Sequence, residues 1–80
     1  MISRTSVLPL DLLQRDEQAR IVDVAGSAES VHRLDEMGVR PGVVIRLIRP
    51  GSPCILTVGE TRLSLRPAEG SSILVEPLQG

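Results

Sequence analysis

His32 and Glu36 stand four positions apart in a segment with helical periodicity, so their side chains would meet on one helical face. Imidazole and carboxylate groups bind divalent transition metals such as zinc and iron, and Asp35 adjoins Glu36 in the sequence. Two or three such ligands without fixed outer-shell partners hold a metal weakly. We therefore expect at most a weakly bound divalent transition metal at His32 and Glu36, and a solvated polar helix face is the simpler interpretation.

Cys54 is the only cysteine of the chain. A single cysteine excludes an internal disulfide, a CxxC redox pair and a zinc site built from several cysteines. Strand alternation places Cys54 on the same side as Leu56 and Val58, which predicts a buried, inert thiol. The alternative is a reactive thiol or a soft metal ligand.

The sequence contains no recognisable catalytic set. His32 is the only histidine, and no serine or cysteine near it forms a nucleophile motif. The segment Gly38–Gly42 has only two glycines, and its proline lacks a backbone N–H, so it does not form a phosphate-binding loop. We predict a protein that is not an enzyme and needs no cofactor.

Arginine supplies all nine basic residues, against ten acidic ones, and the net charge is −1. Without a basic excess and without any Phe, Tyr or Trp, nucleic-acid binding is not expected. Arginine forms bidentate pairs with carboxylates and phosphates and is enriched at protein interfaces. Six arginines fall at loop or outward positions: Arg33, Arg40, Arg46, Arg49, Arg62 and Arg66.

Among these positions we predict partner contacts at Arg40 and Arg49, together with the outward Ile55. An arginine finger is an alternative that the sequence assigns to no particular arginine, and a solvated surface rich in arginine is another. Val44, Ile48 and Ile55 would form an outward apolar patch that serves a partner or a homo-oligomer. Alternatively, the short apolar turn formed by Leu10, Leu12 and Leu13 covers part of that patch and plugs one end of the core.

Eighty residues, 41% hydrophobic and 24% charged, are typical of one small globular domain. No apolar run is long enough to span a membrane, and no run of signal-peptide length follows Arg4. We expect a cytoplasmic protein without membrane insertion. Residues 1–7 are predicted to be a flexible arm, and residues 8–78 the domain.

Helical periodicity over residues 28–37 predicts one α-helix, with Ser27 as its N-cap and Gly38 ending it. Gly59-Glu60 fits a two-residue type II′ hairpin loop, and residues 67–70 fit a turn or a single 3₁₀ turn. Alternating hydrophobicity predicts strands at residues 18–25, 43–49, 54–58 and 61–66, and a last short strand that includes Ile73 and Val75. The pattern predicts a mostly-β fold, a small barrel of about five antiparallel strands with one inserted helix.

The run Arg33–Gly42 (Arg-Leu-Asp-Glu-Met-Gly-Val-Arg-Pro-Gly) resembles the signature of the ferrous iron transport protein A (FeoA) family. That signature reads Arg-Leu-x-x-Met/Leu-Gly-aliphatic-x-x-Gly and lies between the first helix and the second strand. Residues 19–22, 62–66 and 73–75 resemble the family's first, fourth and last strands. The order and spacing of these patches extend the resemblance over roughly residues 8–78.

The resemblance implies an SH3-like barrel and a small cytosolic protein of ferrous iron uptake. Its implied partner is FeoB, a membrane GTPase and ferrous iron permease, whose assembly or activity it would modulate through the cytosolic part. The same fold occurs as the C-terminal domain of iron-dependent repressors; lacking a helix-turn-helix, this sequence resembles the stand-alone transport form. A divalent-metal sensor and a repressor-type regulatory domain are the alternative functions.

Overall fold

The computed structural model describes residues 6–78. Six antiparallel strands form one sheet in the order β1-β6-β2-β3-β4-β5. The elements in chain order are β1 (Leu8–Pro9), a 3₁₀ turn (Leu10–Leu12), β2 (Gln18–Val24), α1 (Ala28–Glu36), β3 (Val44–Arg49), β4 (Cys54–Val58), β5 (Thr61–Leu65), α2 (Pro67–Ser71) and β6 (Ile73–Pro77).

The mostly-β fold with a helix between its first long strands is confirmed, with two differences. A two-residue strand, β1, pairs with β6 and makes the sixth strand of the sheet. Residues 67–71 form the short helix α2 where a turn was predicted. Proline at the first helical position and Glu69 at the third favour a helix start there.

Strand alternation separates a buried face from an outward face, as predicted. Ile45 and Leu47 of β3 are buried while Val44 and Arg46 are exposed. The same alternation buries Cys54 and Leu56 of β4. The buried hydrophobic residues are Leu10, Leu13, Ala19, Ile21, Leu34, Val39, Ile45, Leu47, Cys54, Leu56, Leu65, Ile73 and Val75.

Local signals set both ends of α1. The Ser27 hydroxyl accepts a hydrogen bond from the Ser30 N–H at 3.1 Å, which confirms the predicted N-cap. At the other end, the Val39 N–H donates to the Leu34 carbonyl at 2.9 Å and the Gly38 N–H donates to the Asp35 carbonyl at 3.0 Å. This pair of bonds is a Schellman motif, and Gly38 supplies its positive φ of 91°. The helix ends at Glu36, one residue before the predicted end.

The β4–β5 hairpin has the predicted two-residue loop, since Val58 pairs with Thr61. Gly59 has a φ of 61°, and Glu60 has no positive φ. Positive φ at only the first loop residue is the type II′ arrangement, which suits the right-handed twist of the strands.

The 3₁₀ turn closes one end of the core, but only part of the predicted leucine plug is correct. Leu10 and Leu13 are 1% and 3% exposed, whereas Leu12 is 64% exposed. In a 3₁₀ turn, side chains three positions apart lie on the same side, so Leu10 and Leu13 enter the core together and Leu12 points away. The main contacts of the turn are with α2 and β6, whereas the alternative interpretation placed it over the outward side of β3 and β4.

None of the helices among residues 6–78 is long and apolar enough to cross a membrane. Most of the predicted flexible arm, residues 1–5, lies outside the described residues. Val7, the last residue of that arm, is 48% exposed.

The two leucines of the 3₁₀ turn provide a matched test of its role in the core. We expect Leu10→Ala to lower the free energy of unfolding by about 2–5 kcal/mol, because it leaves a cavity in the core. Leu12→Ala should change it by less than about 0.5 kcal/mol, because that side chain is exposed. Urea unfolding followed by far-ultraviolet circular dichroism measures both, and equal effects would contradict the difference in burial between Leu10 and Leu12.

Candidate functional site

The outward side chains of β3, β4 and β5 form two adjacent rows on the face of the sheet opposite the core. Ile55 and Thr57 of the middle strand β4 are half-buried at the centres of the rows, and the arginines around them are exposed. We call this surface the arginine face. Across β3, β4 and β5 its rows are Arg46, Thr57, Arg62 and Arg49, Ile55, Ser64.

Two of the three predicted partner-binding residues meet on the arginine face. Arg49 and Ile55 are direct cross-strand partners of β3 and β4. Their Cβ atoms are therefore about 4.5–5.5 Å apart. Arg40 lies in the loop before β3, whereas Arg49 ends that strand. The two residues therefore flank opposite ends of β3.

Arg40 is held at the C-terminal end of α1. Its Nε lies 3.0 Å from Asp35 Oδ1, and its second guanidinium nitrogen donates to the Asp35 carbonyl oxygen at 3.1 Å. A cation at this position stabilises the helix through its dipole. The interaction gives Arg40 a structural role, and contact with a partner stays a prediction.

Arg46 and Arg62 belong to the same surface as Arg49, although the sequence did not single them out. None of the ion pairs found among residues 6–78 involves Arg46, Arg49 or Arg62. In contrast, Arg20 of β2 lies 4.0 Å from the Glu76 carboxylate of β6. The alternation of β3 and β5 predicts that Arg46 and Arg62 point outward. Only the strand register shows that these two arginines flank Thr57.

The predicted apolar patch is not continuous. Val44 is 38% exposed, but the row containing Arg46 separates it from Ile55. Ile48 is the extra residue of a β-bulge between Leu47 and Arg49 and is half-buried. At the bulge Ile48 and Arg49 both oppose Ile55, so an arginine lies beside the two isoleucines and the surface is mixed and cationic.

The predicted metal pair is close in space. His32 Nε2 lies 3.5 Å from Glu36 Oε2, and both side chains are mostly exposed. Asp35, the third residue considered, binds Arg40 instead. Within residues 6–78, no group of three or more His, Cys, Asp or Glu side chains is arranged to hold a metal ion.

Glu69 is a buried charged residue that sequence reasoning missed. It is 8% exposed and lines a small cavity between α1 and α2. Its Oε1 accepts the Arg66 N–H at 3.0 Å, at the start of α2, while its Oε2 contacts the guanidinium of Arg33 from α1. The residue joins the two helices, and the Arg-Pro-x-Glu helix-start pattern was the signal that could have identified it.

Comparison with family models shows that residues 8–77 match the FeoA domain. The chain belongs to the FeoA family. The resemblance inferred from the run Arg33–Gly42 is thereby confirmed. The family is associated with ferrous iron uptake, and its members are small accessory domains not known as enzymes.

Solved structures agree with the membership of this FeoA-family chain. A FeoA protein from Chlorobium tepidum is 26% identical, with a TM-score of 0.84, and the match covers 91% of this chain and 72% of that one. A crystal structure described as an iron uptake regulatory protein, FeoA, has a TM-score of 0.86 at 24% identity, covering 91% of this chain and all of that one. At that identity the second match supports the fold alone.

A manganese-dependent transcriptional repressor shares the fold at 9% identity, with a TM-score of 0.85. The match covers 96% of this FeoA-family chain and 45% of the repressor. It confirms the SH3-like fold class, which the family shares with the C-terminal domains of such repressors. Comparison with functionally curated proteins gives no significant match.

The Arg33–Glu69 pair predicts a measurable stability effect. Arg33→Ala leaves a buried carboxylate without its counter-charge, and we expect the free energy of unfolding to fall by about 1–3 kcal/mol, less than for a fully buried pair because Arg33 is half exposed. Arg15→Ala, which removes the same charge at an exposed position, should change it by less than about 0.5 kcal/mol. Urea unfolding compares the two, and equal values would contradict this role of Glu69.

Burial of the Cys54 thiol predicts how the free energy of unfolding changes at alkaline pH. The thiol is 4% exposed, and burial raises its pKa, with a further contribution from the charge of Asp11. As pH rises, the unfolded chain therefore loses the thiol proton at a lower pH than the folded protein does. The free energy of unfolding keeps its full value below the ordinary thiol pKa of about 8.5, and it falls as pH rises towards the thiol pKa of the folded protein. Because the chain has no Lys or Tyr, no other side chain titrates in that range.

We expect the free energy of unfolding to fall above about pH 8.5 by at most about 1.4 kcal/mol per pH unit. Cys54→Ala should remove this pH dependence, although it lowers stability at every pH. Urea unfolding under reducing conditions from pH 7 to 10.5 makes the measurement. A slope that persists in Cys54→Ala would assign the effect to another group.

Proposed function

We propose that this protein is a non-enzymatic accessory protein of ferrous iron uptake, which docks on the cytosolic part of a FeoB-type membrane GTPase and permease and modulates its assembly or activity. The observation that carries the proposal is the FeoA-domain match over residues 8–77, nearly all of the described chain. A cytoplasmic location follows from the proposed partner surface.

The exposed surface supports a docking role. Arg49 and Ile55 combine a cationic and an apolar group at one point of the sheet. Arginine next to apolar area is a composition favoured at the centres of protein interfaces. Neither residue is needed to fill the core, so both are available to a partner.

Calorimetric titration of this protein into the cognate transporter's GTPase domain tests the proposal. The titration is run with GDP, with a non-hydrolysable GTP analogue and without nucleotide. We expect saturable binding that differs between nucleotide states, because a regulator shifts a two-state protein only through differential affinity. A domain of the same fold from a metal-dependent repressor serves as the control, and absence of binding in all three states would count against the proposal.

A second, weaker candidate is divalent-metal sensing, favoured by the 3.5 Å approach of His32 Nε2 to Glu36 Oε2. Two exposed ligands fix a metal poorly, so we expect a zinc dissociation constant above about 100 μM. Calorimetry with zinc chloride measures it, with His32→Ala as the variant and Glu29→Ala, elsewhere on the same helix, as the control. Micromolar affinity that His32→Ala abolishes would favour the sensor instead.

A further inference from the structure

Charge is divided unequally between two parts of this chain. Residues 37–68, which contain β3, β4 and β5, carry five arginines and a single carboxylate, Glu60. The other residues carry four arginines and nine carboxylates. A net charge of −1 therefore conceals a basic β3–β5 region attached to an acidic remainder.

The cations of the arginine face are concentrated and uncompensated. Arg46 and Arg62 flank Thr57 from neighbouring strands, so their Cα atoms are about 10 Å apart. Arg49 lies in the adjacent row, beside Ile55. Among residues 6–78, no carboxylate forms an ion pair with any of the three. A partner that supplies carboxylates would relieve their mutual repulsion.

The outermost strand of the arginine face, β5, has a free edge within the described part of the chain. Among residues 6–78, β5 is the last strand of the sheet and pairs only with β4. Val58 and Thr61 close the two-residue hairpin loop and form a hydrogen-bonded pair. Because hydrogen-bonded and non-hydrogen-bonded pairs alternate, the backbone N–H and C=O groups of Arg62 and Ser64 point away from β4. They are positioned to pair with another strand.

We propose that the arginine face and the free edge of β5 together form a docking site for an acidic, extended segment of a partner protein, which adds to the sheet as a strand beside β5. Side chains of an added strand alternate between the two faces of the sheet. Its acidic residues would lie beside Arg62 on the arginine face, and its apolar residues would lie on the other side, beside the half-buried Leu63. The proposed segment therefore alternates acidic and apolar residues.

The structure favours a protein segment over a nucleic acid. A strand satisfies the directed backbone groups of Arg62 and Ser64, whereas a phosphate chain does not. The chain also has no Phe, Tyr or Trp on which a base could stack. Ile55 at the centre of the surface adds an apolar contact that a peptide side chain can use.

A second copy of the chain is a poor occupant of the same edge. Antiparallel pairing of two β5 strands about Leu63 would place their two Arg62 residues at diagonal positions, about 7–8 Å apart. It would also join two arginine faces into one cationic sheet. Charged residues on an edge strand oppose self-association of this kind.

Backbone pairing is tested with Ser64→Pro, which removes an N–H that points away from β4, and with Ser64→Ala as its control. The probe is a capped eight-residue peptide of alternating Glu and Val, followed by amide chemical shifts of the whole protein. We expect shifts at residues 61–65 with wild type, at least a tenfold weaker affinity for Ser64→Pro and less than a twofold change for Ser64→Ala. Proline is tolerated on edge strands, and circular dichroism verifies folding.

Charge recognition is tested independently with Arg46→Ala and Arg62→Ala. Each should weaken peptide binding by about three- to tenfold, and the loss should shrink as salt screens the charges. Arg15→Ala, outside the β3–β5 region, is the charge-matched control and should change affinity less than twofold. A peptide of alternating Lys and Val should not bind.

Several results would overturn the docking site: no shifts in β5, unchanged affinity in Ser64→Pro, or equal binding of the Lys-Val peptide. Tighter binding of poly(U) RNA or of phosphatidylserine vesicles to the same arginines would assign the surface to a different class of partner.

The docking site rests on the proposed function only for the identity of its physiological partner. The same variants distinguish a failure of the docking site from a failure of the proposed function. If the transporter's GTPase domain binds wild type and Ser64→Pro equally, the docking site is wrong and the proposed function stands. If the Glu-Val peptide behaves as expected but the GTPase domain does not bind, the docking site stands and the proposed partner is wrong.

Discussion

The core of this protein is built from aliphatic side chains and one cysteine, without a single aromatic ring, and strand alternation is the constraint that makes such a core sufficient. Each fully buried Leu or Ile contributes only about 1.5–3 kcal/mol, so many must be buried together. A slip of one residue in β3 or β4 would turn their buried residues to solvent. Register is therefore strongly specified throughout the sheet.

The same constraint creates the arginine face. When Leu47 pairs with Leu56 inside the barrel, Arg46 and Thr57 must lie together outside it. The bulge at Ile48 then changes the pairing by one residue, which places Arg49 opposite Ile55. Bulges commonly redirect side chains in this way. The surface proposed to bind a partner is thus the outward side of the same strands whose inward side chains form the core.

Attachment of the two helices depends on a different interaction, a buried carboxylate. Glu69 accepts a hydrogen bond from the backbone N–H of Arg66, at the start of α2, and also contacts Arg33 of α1. A buried charge is tolerated only where it is paired and hydrogen-bonded, and Glu69 meets both conditions. The contact joins α1 to α2, and neither of its two side chains belongs to the arginine face. The two features can therefore be altered separately.

The sequence by itself determined the features whose cause is local. Ser27 and Gly38 predicted the ends of α1, Gly59 predicted the hairpin loop, and period-two alternation predicted which sides of β3 and β4 are buried. The run Arg33–Gly42, taken together with the order and spacing of the strand segments, also indicated the family.

Tertiary structure decided everything that depends on which distant residues become neighbours. The pairing of Arg46 with Thr57, the bulge at Ile48 and the burial of Glu69 all arise from contacts between separate elements. Alternation states only that a side chain points inward or outward. The position of each strand against the next follows from the fit of the whole core, and that fit decides which arginines form one surface.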